Sequence, residues 1–269
     1  MMSPGAEMVD DRPPRGVAEA LSGDPDPAFA RELRAELRAR QALATGRIWW
    51  FDIASAVGPL RIAHDGQLVH LVTNDPAGWE SLARARFGFV PGWGESAGVR
   101  AAIEAVMAGR RRGSEVAYFG GLGDFRRSVL RATARIPRGE VRTYGWVARE
   151  AGIPGAVRAA GTALGHNPVP FIVPCHRVVK ADWQLGQYSA AGGVKTKGRI
   201  LGAEGIDLAR MAGLSAAGVR YQGSRNTHIF CMPSCHTGKH LQPANLVNFR
   251  SEAEARREGY RPCLVCRPA

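Results

Sequence analysis

The sequence predicts an α/β chain with a small N-terminal β-sheet domain, a helical domain carrying a helix-turn-helix, and a small cysteine-rich module at the C-terminus. Three observations carry this reading. Between residues 48 and 72, short apolar runs alternate with turn residues, as in a small antiparallel sheet. From Phe125 onward the text changes to short helices with recognisable caps. Four of the five cysteines lie beyond residue 230. A chain of 269 residues has room for two domains, or one large and one small, and its 45% hydrophobic content supplies a core and excludes a disordered protein. The expected divisions are a tail and helix over 1–46, the sheet domain over 47–118, the helical domain over 119–210 and the module over 219–269.

Residues 1–27 are rich in Pro, Gly and acids, with Asp-Arg-Pro-Pro at 11–14 and Asp-Pro-Asp-Pro at 24–27, a composition that predicts a disordered tail. Asp26 as N-cap and Pro27 at the first helical position then open a helix with Phe29, Leu33 and Leu37 on one face, ending near Gly46. Strands are expected at 48–51, 58–63 and 68–72, with His64-Asp65-Gly66 as a hairpin turn. An Ala-rich helix over 99–109 is broken by Arg110-Arg111-Arg112-Gly113. Three helices follow, at 126–136, at 144–150 closed by Gly152, and at 154–164 closed by Gly165.

The last two read as a helix-turn-helix, with Thr143 as N-cap of the first and Pro154 at the start of the second. Val157, Ala160, Gly161 and Leu164 form its buried stripe and leave Arg158 pointing away, while Gly155, Ala156 and Ala159 keep the outer side thin. A thin helix with one arginine suits a nucleic-acid groove. A tightly packed Gly/Ala helix with a solvated arginine fits the same spacing.

The net charge of +12 and pI of about 10.2 point to a polyanionic partner, nucleic acid ahead of a membrane surface. Only four of the 36 basic residues are lysines, and arginine favours bidentate contact with phosphate. Between Arg126 and Arg158 eight arginines face two acids, Glu140 and Glu150, so the charge concentrates where the helical motif lies. With no signal peptide and no apolar run of 18 residues, no membrane partner is expected, and a reducing cytoplasm is the expected compartment.

Cys231, Cys235, Cys263 and Cys266 read C-x3-C, 27 residues, C-x2-C, a spacing that suits tetrahedral thiolate coordination of zinc. So short a module holds little core, and the metal is expected to supply much of its folding free energy. Ser251-Glu252-Ala253-Glu254 is a capping-box start to a short helix ended by Gly259, and His228, His236 and His240 are competing ligands. Cys175 stands apart, at the end of an apolar run bracketed by Pro168, Pro170 and Pro174 and read as a short strand. His176 is adjacent, but neighbouring side chains on extended backbone point apart, so a relay through one water is expected rather than direct contact. A lone Cys-His pair is more often a buried, inert cysteine beside a structural histidine.

The run Val-Pro-Cys-His-Arg-Val-Val at 173–179 resembles the active-site signature of the O6-methylguanine-DNA methyltransferases. Ile-Pro-Arg-Gly-Glu-Val-Arg-Thr-Tyr-Gly at 136–145, Val-Arg-Ala-Ala-Gly at 157–161, Asn167-Pro168, and Lys197 through Ile200-Leu201 to Glu204-Gly205 are similar to that family in the same order. The resemblance covers residues 119–205 well and extends weakly back to about 47. It implies that the helical domain is an alkyltransferase domain repairing O6-alkylguanine in double-stranded DNA, once per molecule and as a monomer. Cys175 would accept the alkyl group, His176 would activate it through a water, Glu204 would orient His176, and Asn167 would brace the turn. Tyr144 would press on a DNA phosphate as the lesion rotates out, Arg158 would fill the vacated space, and Tyr188 and Ser189 would line the guanine pocket with the backbone around Val178. Trp183 stands where the family commonly has Gly and Gln187 where Gly or Asn precedes the tyrosine, and two extra residues fall within 190–193.

The C-terminal segment is similar to the metal-binding domain of Ada, in which the first cysteine also accepts methyl groups from DNA phosphotriesters. Here Met232 replaces a usual arginine, and Leu264-Val265 replace usual basic residues. Two other functions therefore stand beside repair by Cys175: a sensor in which Cys231 is methylated, and a non-enzymatic protein that binds alkylation damage.

Overall fold

The computed structural model of the chain describes residues 26–238 and 241–268; the predicted tail through residue 25 and His240 lie outside the described residues. Contacts divide the chain into two units, Met1–Arg38 and Ala39–Ala269. Helix α1 (Pro27–Ala44), which begins in the first unit and ends in the second, starts at the predicted proline and exposes Phe29, Leu33 and Leu37.

The second unit opens with strands β1 (Trp49–Ile53), β2 (Leu60–His64) and β3 (Val69–Thr73), each antiparallel to the next, where the alternation predicts them. At the hairpin, Gly66 takes φ 92°, and Asp65 Oδ1 accepts from the amides of Gln67 and Leu68. A fourth strand, β4 (Gly92–Trp93), joins β1 in parallel, giving the order β3-β2-β1-β4. Side chains on successive residues take opposite faces. Phe51, Ile53, Leu60 and Ile62 pack with Val99, Ile103 and Val106 of helix α3 (Ala97–Met107). Ala63 and Leu71 pack on the other side with Trp79 and Ala83 of helix α2 (Trp79–Phe87), an element the sequence reading did not delimit. Cover on both faces leaves all of β3 buried.

Helices α4 (Asp124–Thr133), α5 (Tyr144–Glu150) and α6 (Val157–Gly165) follow. The Thr143 hydroxyl accepts from the Trp146 amide, the predicted cap. Helix α6 starts three residues later than expected. Pro154 sits inside a turn closed by the Ala156 amide donating to the Ile153 carbonyl, the second position of a β-turn, which its fixed φ suits. The buried stripe is therefore Ala160, Ala163 and Leu164, while Val157, on the first turn, is 41% exposed.

The segment before Cys175 is not the expected strand. Three prolines remove ladder donors, Phe171 takes φ 72°, and Cys175–Arg177 forms one 3-10 turn. It leads into β6 (Val178–Val179), which pairs in parallel with β5 (Arg142–Thr143). Helices α7 (Gly193–Ala203) and α8 (Leu208–Ala216) precede a second sheet of β7 (Tyr221–Ser224), β8 (Ile229–Cys231), β9 (Leu246–Phe249) and β10 (Arg261–Pro262), in the order β10-β8-β7-β9. Helix α9 (Glu252–Arg257) starts at the predicted cap, where Ser251 Oγ accepts from the Glu254 amide. Phe230, Phe249, Ala255 and Tyr260 make a small core of their own, whereas the four cysteines beyond residue 230 pack into the same core as Val141, Trp146 and Cys175.

Candidate functional site

Cys175 is buried at the base of a cavity of about 210 Å³ that Tyr144, Gly161, Tyr188 and Ser189 also line. Four predicted site residues thus meet there although they come from α5, the 3-10 turn and the loop after β6. Asn167 Nδ2 donates to Cys175 Sγ at 3.3 Å and to the Val173 carbonyl at 2.9 Å, while its Oδ1 accepts from the Val169 amide at 3.1 Å. One side chain therefore ties the turn together and holds the sulfur. Burial pushes the Cys175 thiol up, against the Asn167 hydrogen bond and the charge of Lys197.

His176, next to the cysteine in the same 3-10 turn, pairs with Glu204. His176 Nε2 is 3.2 Å from Glu204 Oε1, and Arg177 donates to both oxygens of that carboxylate, at 2.8 and 2.7 Å, and to the Ile136 carbonyl at 2.7 Å. Burial opposes ionisation of Glu204, but the hydrogen bonds from His176 and Arg177 outweigh it and hold the carboxyl down at about 2. An ionised carboxylate can only accept, so Nε2 of His176 carries the ring proton and Nδ1 keeps its lone pair. Burial lowers the imidazole pKa, and Nδ1 has no hydrogen-bond partner in the protein. The Tyr188 hydroxyl, on the cavity wall, is likewise buried and unpartnered, and burial raises its pKa. Arg158, the remaining predicted contact, stands exposed on the first turn of α6, away from the cavity.

The contacts of two further side chains in the candidate site escape the sequence reading. Arg177 reads as part of a motif, but its grip on Glu204 is a contact between residues 27 apart. Lys197 is fully buried, and its ammonium donates to the carbonyls of Val178, in β6, and of Leu185, in the loop that leads to Tyr188. Burial depresses it to about 8. Its place at the head of the segment running through Ile200-Leu201 to Glu204-Gly205 was legible; its contacts were not. The departures in this loop also find physical accounts. Trp183 takes φ 69°, a conformation that favours Gly, and its indole N–H donates to the Val219 carbonyl at 2.9 Å. The loop with two extra residues is clamped by Asn74, which exchanges two hydrogen bonds with the Ala191 backbone.

The sulfurs of Cys231, Cys235, Cys263 and Cys266 all lie within 4.8 Å of one another, matching the about 3.8 Å sulfur-to-sulfur edge of a tetrahedral zinc-thiolate site. All four residues are buried, and their mutual hydrogen bonds pull Cys235 far below the ordinary thiol range while pushing Cys231 and Cys266 up. Four crowded sulfurs cannot all ionise by themselves; a divalent cation resolves the conflict, so this donor set fits zinc. Of the histidine alternatives among the described residues, His228 stacks near Tyr260, while His236 Nδ1 pairs with Glu140 and, with that carboxylate, lies within 4.8 Å of the Cys235 sulfur, beside the four-thiolate set. Leu264 and Val265 at the tip of the knot are exposed.

The family "6-O-methylguanine DNA methyltransferase, DNA binding domain" matches residues 124–206, and "Metal binding domain of Ada" matches 212–269. A methylated-DNA–protein-cysteine methyltransferase of Mycobacterium tuberculosis is 37% identical over 154 residues, 57% of this chain and 90% of its own length. One from Methanothermobacter thermautotrophicus is 47% identical over 90 residues, covering 34% of this chain and 49% of that one. The crystal structure of Mycobacterium tuberculosis O6-methylguanine methyltransferase superimposes with a TM-score of 0.49 at 35% identity, over 58% of this chain and 92% of that one. A buried cysteine facing a small cavity, next to a histidine paired with a carboxylate, accords with a match to nine-tenths of a relative's length, and the chain belongs to the methylated-DNA–protein-cysteine methyltransferases.

Proposed function

We propose that the protein repairs double-stranded DNA by moving the alkyl group of O6-alkylguanine onto Cys175, once per molecule and as a monomer in the cytoplasm. Among the described residues no helix is long and apolar enough to cross a membrane. The observation that carries the proposal is the alignment of Asn167, Cys175, His176, Glu204 and Arg177 across one buried turn.

The chemistry follows from the protonation states. The resting sulfur is a thiol. The free Nδ1 of neutral His176 takes its proton through a bridging water, and Glu204, fixed by Arg177, stabilises the imidazolium that forms. The thiolate attacks the alkyl carbon, a C–S bond forms as the C–O6 bond breaks, and the electron pair leaves with guanine, which takes back through water the proton held by His176. The Tyr188 hydroxyl and Ser189 face the base in the cavity, and Tyr144 presses on the backbone as the nucleotide turns out. A thioether has no ready leaving group, so Cys175 is consumed. Zinc bound by Cys231, Cys235, Cys263 and Cys266 gives structural cohesion and leaves the transfer step to Cys175.

After incubation with duplex DNA carrying O6-methylguanine, peptide mass spectrometry should find one methyl group, on Cys175. The Cys175→Ala protein should bind the same duplex and acquire none, because arginines and helix α6 carry affinity while the thiol carries chemistry. Undiminished methyl transfer to the variant would sink the assignment.

A further inference from the structure

The metal knot does not hang from the repair site; it is bolted to it. Ser234, inside the first cysteine loop, is buried and makes two hydrogen bonds to one residue, accepting from the Val141 amide at 3.0 Å and donating to the Val141 carbonyl at 3.1 Å. The carbonyl of Cys266, itself one of the four clustered cysteines, accepts from the indole N–H of Trp146 at 2.9 Å, also in the interior. Around these, the His236 amide donates to Glu140 Oε1 at 3.1 Å, Arg149 donates to the Arg267 carbonyl at 2.6 Å, and Arg267 pairs with Glu150 at 2.9 Å. These repair-side partners fall between residues 140 and 150, in strand β5, helix α5 and the two residues before them; outside that stretch, Arg210 donates to the Pro233 carbonyl at 3.3 Å and Trp183 to the Val219 carbonyl at 2.9 Å.

That segment leads directly to the chemistry. Arg142 and Thr143 pair with Val178 and Val179, the two residues that follow the Cys175–Arg177 turn. Thr143 caps the helix that opens with Tyr144, and Tyr144 walls the cavity over Cys175.

We infer that the four-cysteine knot is a brace for the alkyltransferase site: through Ser234 and the Cys266 carbonyl, its metal-held loops position β5 and Tyr144, and through them the Cys175 turn. Four sulfurs that have lost their metal keep only hydrogen bonds and packing, a weaker tie between the two loops than four metal–thiolate bonds. If the two loops part, the Val141 amide and the Trp146 indole lose buried partners, and the segment that carries Tyr144 is freed to shift. Ser234 and Trp146 are thus positioning residues, acting through the segment between them. This inference rests on the function proposed above only for its activity readout.

The test uses the full chain with zinc bound, the same protein after chelation, and the Ser234→Ala and Trp146→Phe variants. Hydrogen exchange is followed by mass spectrometry, metal content by elemental analysis, and transfer with the alkylated free base so that DNA binding does not enter. Chelation is expected to raise exchange in 140–150 and 175–179 while sparing β1 to β3, and to slow transfer on the order of tenfold to a hundredfold, the scale of a displacement of about an ångström at a reacting group. Ser234→Ala should keep its zinc and still show faster exchange at 140–150 and slower transfer; a loss confined to metal-free protein would be ordinary unfolding, and a zinc-loaded variant excludes that. Should Trp146→Phe fail to fold, Ser234→Ala decides alone. Unchanged exchange at 140–150 in both the chelated protein and zinc-loaded Ser234→Ala would overturn the brace whatever the transferase activity, whereas absence of transfer in untreated protein would count against the proposed function only.

Discussion

Burial disfavours the charged form of His176, and the ionised Glu204 decides which nitrogen keeps the proton, so two side chains together leave a neutral imidazole with a free Nδ1. Glu204→Gln removes the charge that fixes this state and leaves Arg177 with a buried, unmatched guanidinium. A stability loss on the order of 3 kcal/mol is expected, together with slower alkyl transfer. The pH dependence has a definite sign. The Glu204 carboxyl is held at about 2 against an ordinary 4.5, so its stabilising contribution is fully present above 4.5 and fades as pH falls toward 2. Urea unfolding of the two proteins should show the widest gap at neutral pH and a narrowing one below 4.5; a gap of constant width would refute the assignment of that ion pair. Lys197 acts at the same scale on the pocket loop. Lys197→Met strips donors from the Val178 and Leu185 carbonyls and should slow transfer roughly tenfold, with alkylated free base as well as duplex, since the loop serves both.

At the scale of the element, helix α6 presents Arg158 on its exposed first turn with little else in the way, and Pro154 in the turn before it fixes the approach. If Arg158 fills the stack that a rotated base vacates, Arg158→Ala should slow repair of duplex DNA roughly tenfold, about 1.4 kcal/mol, and leave reaction with the free base unchanged. Equal slowing on both substrates would make Arg158 merely structural. This helix also shows where local signals reach and where they stop. Thr143 as a cap and Gly152 as a terminator were legible because capping is a matter of one or two neighbours. Pro154 was misread as the first helical residue because proline suits the second position of a β-turn and the first of a helix equally well, and only packing chooses between them. The apolar run before Cys175 failed as a strand for a related reason: its length and hydrophobicity fit, but its prolines forbid a ladder.

At the scale of the whole molecule, the cysteine spacing announced the knot, and the ordered motifs announced the Cys175 site, but nothing announced that the two are joined. Ser234 and Val141 are 93 residues apart, Trp146 and Cys266 are 120 apart, and polar contacts at such separations leave no periodicity and no spacing to read. The junction sets two whole-molecule effects against each other. Zinc on four thiolates lowers the formal charge from +12 to about +10, and metal loss followed by protonation of the sulfurs returns it toward +12. Electrostatics alone then favour DNA binding after chelation, since each added positive charge strengthens attraction to the phosphate backbone and steepens its salt dependence. Geometry acts the other way, because β5 and α5 lose the groups that hold them. The two effects fall on different measurements. Affinity of the chelated protein for undamaged duplex should be equal or higher at low salt, falling more steeply as salt rises, while transfer from O6-methylguanine to Cys175 declines on the order of tenfold or more. Parallel titrations at two salt concentrations beside single-turnover rates check both halves, and a chelated protein that loses affinity and transfer in proportion would show global unfolding instead of a released brace.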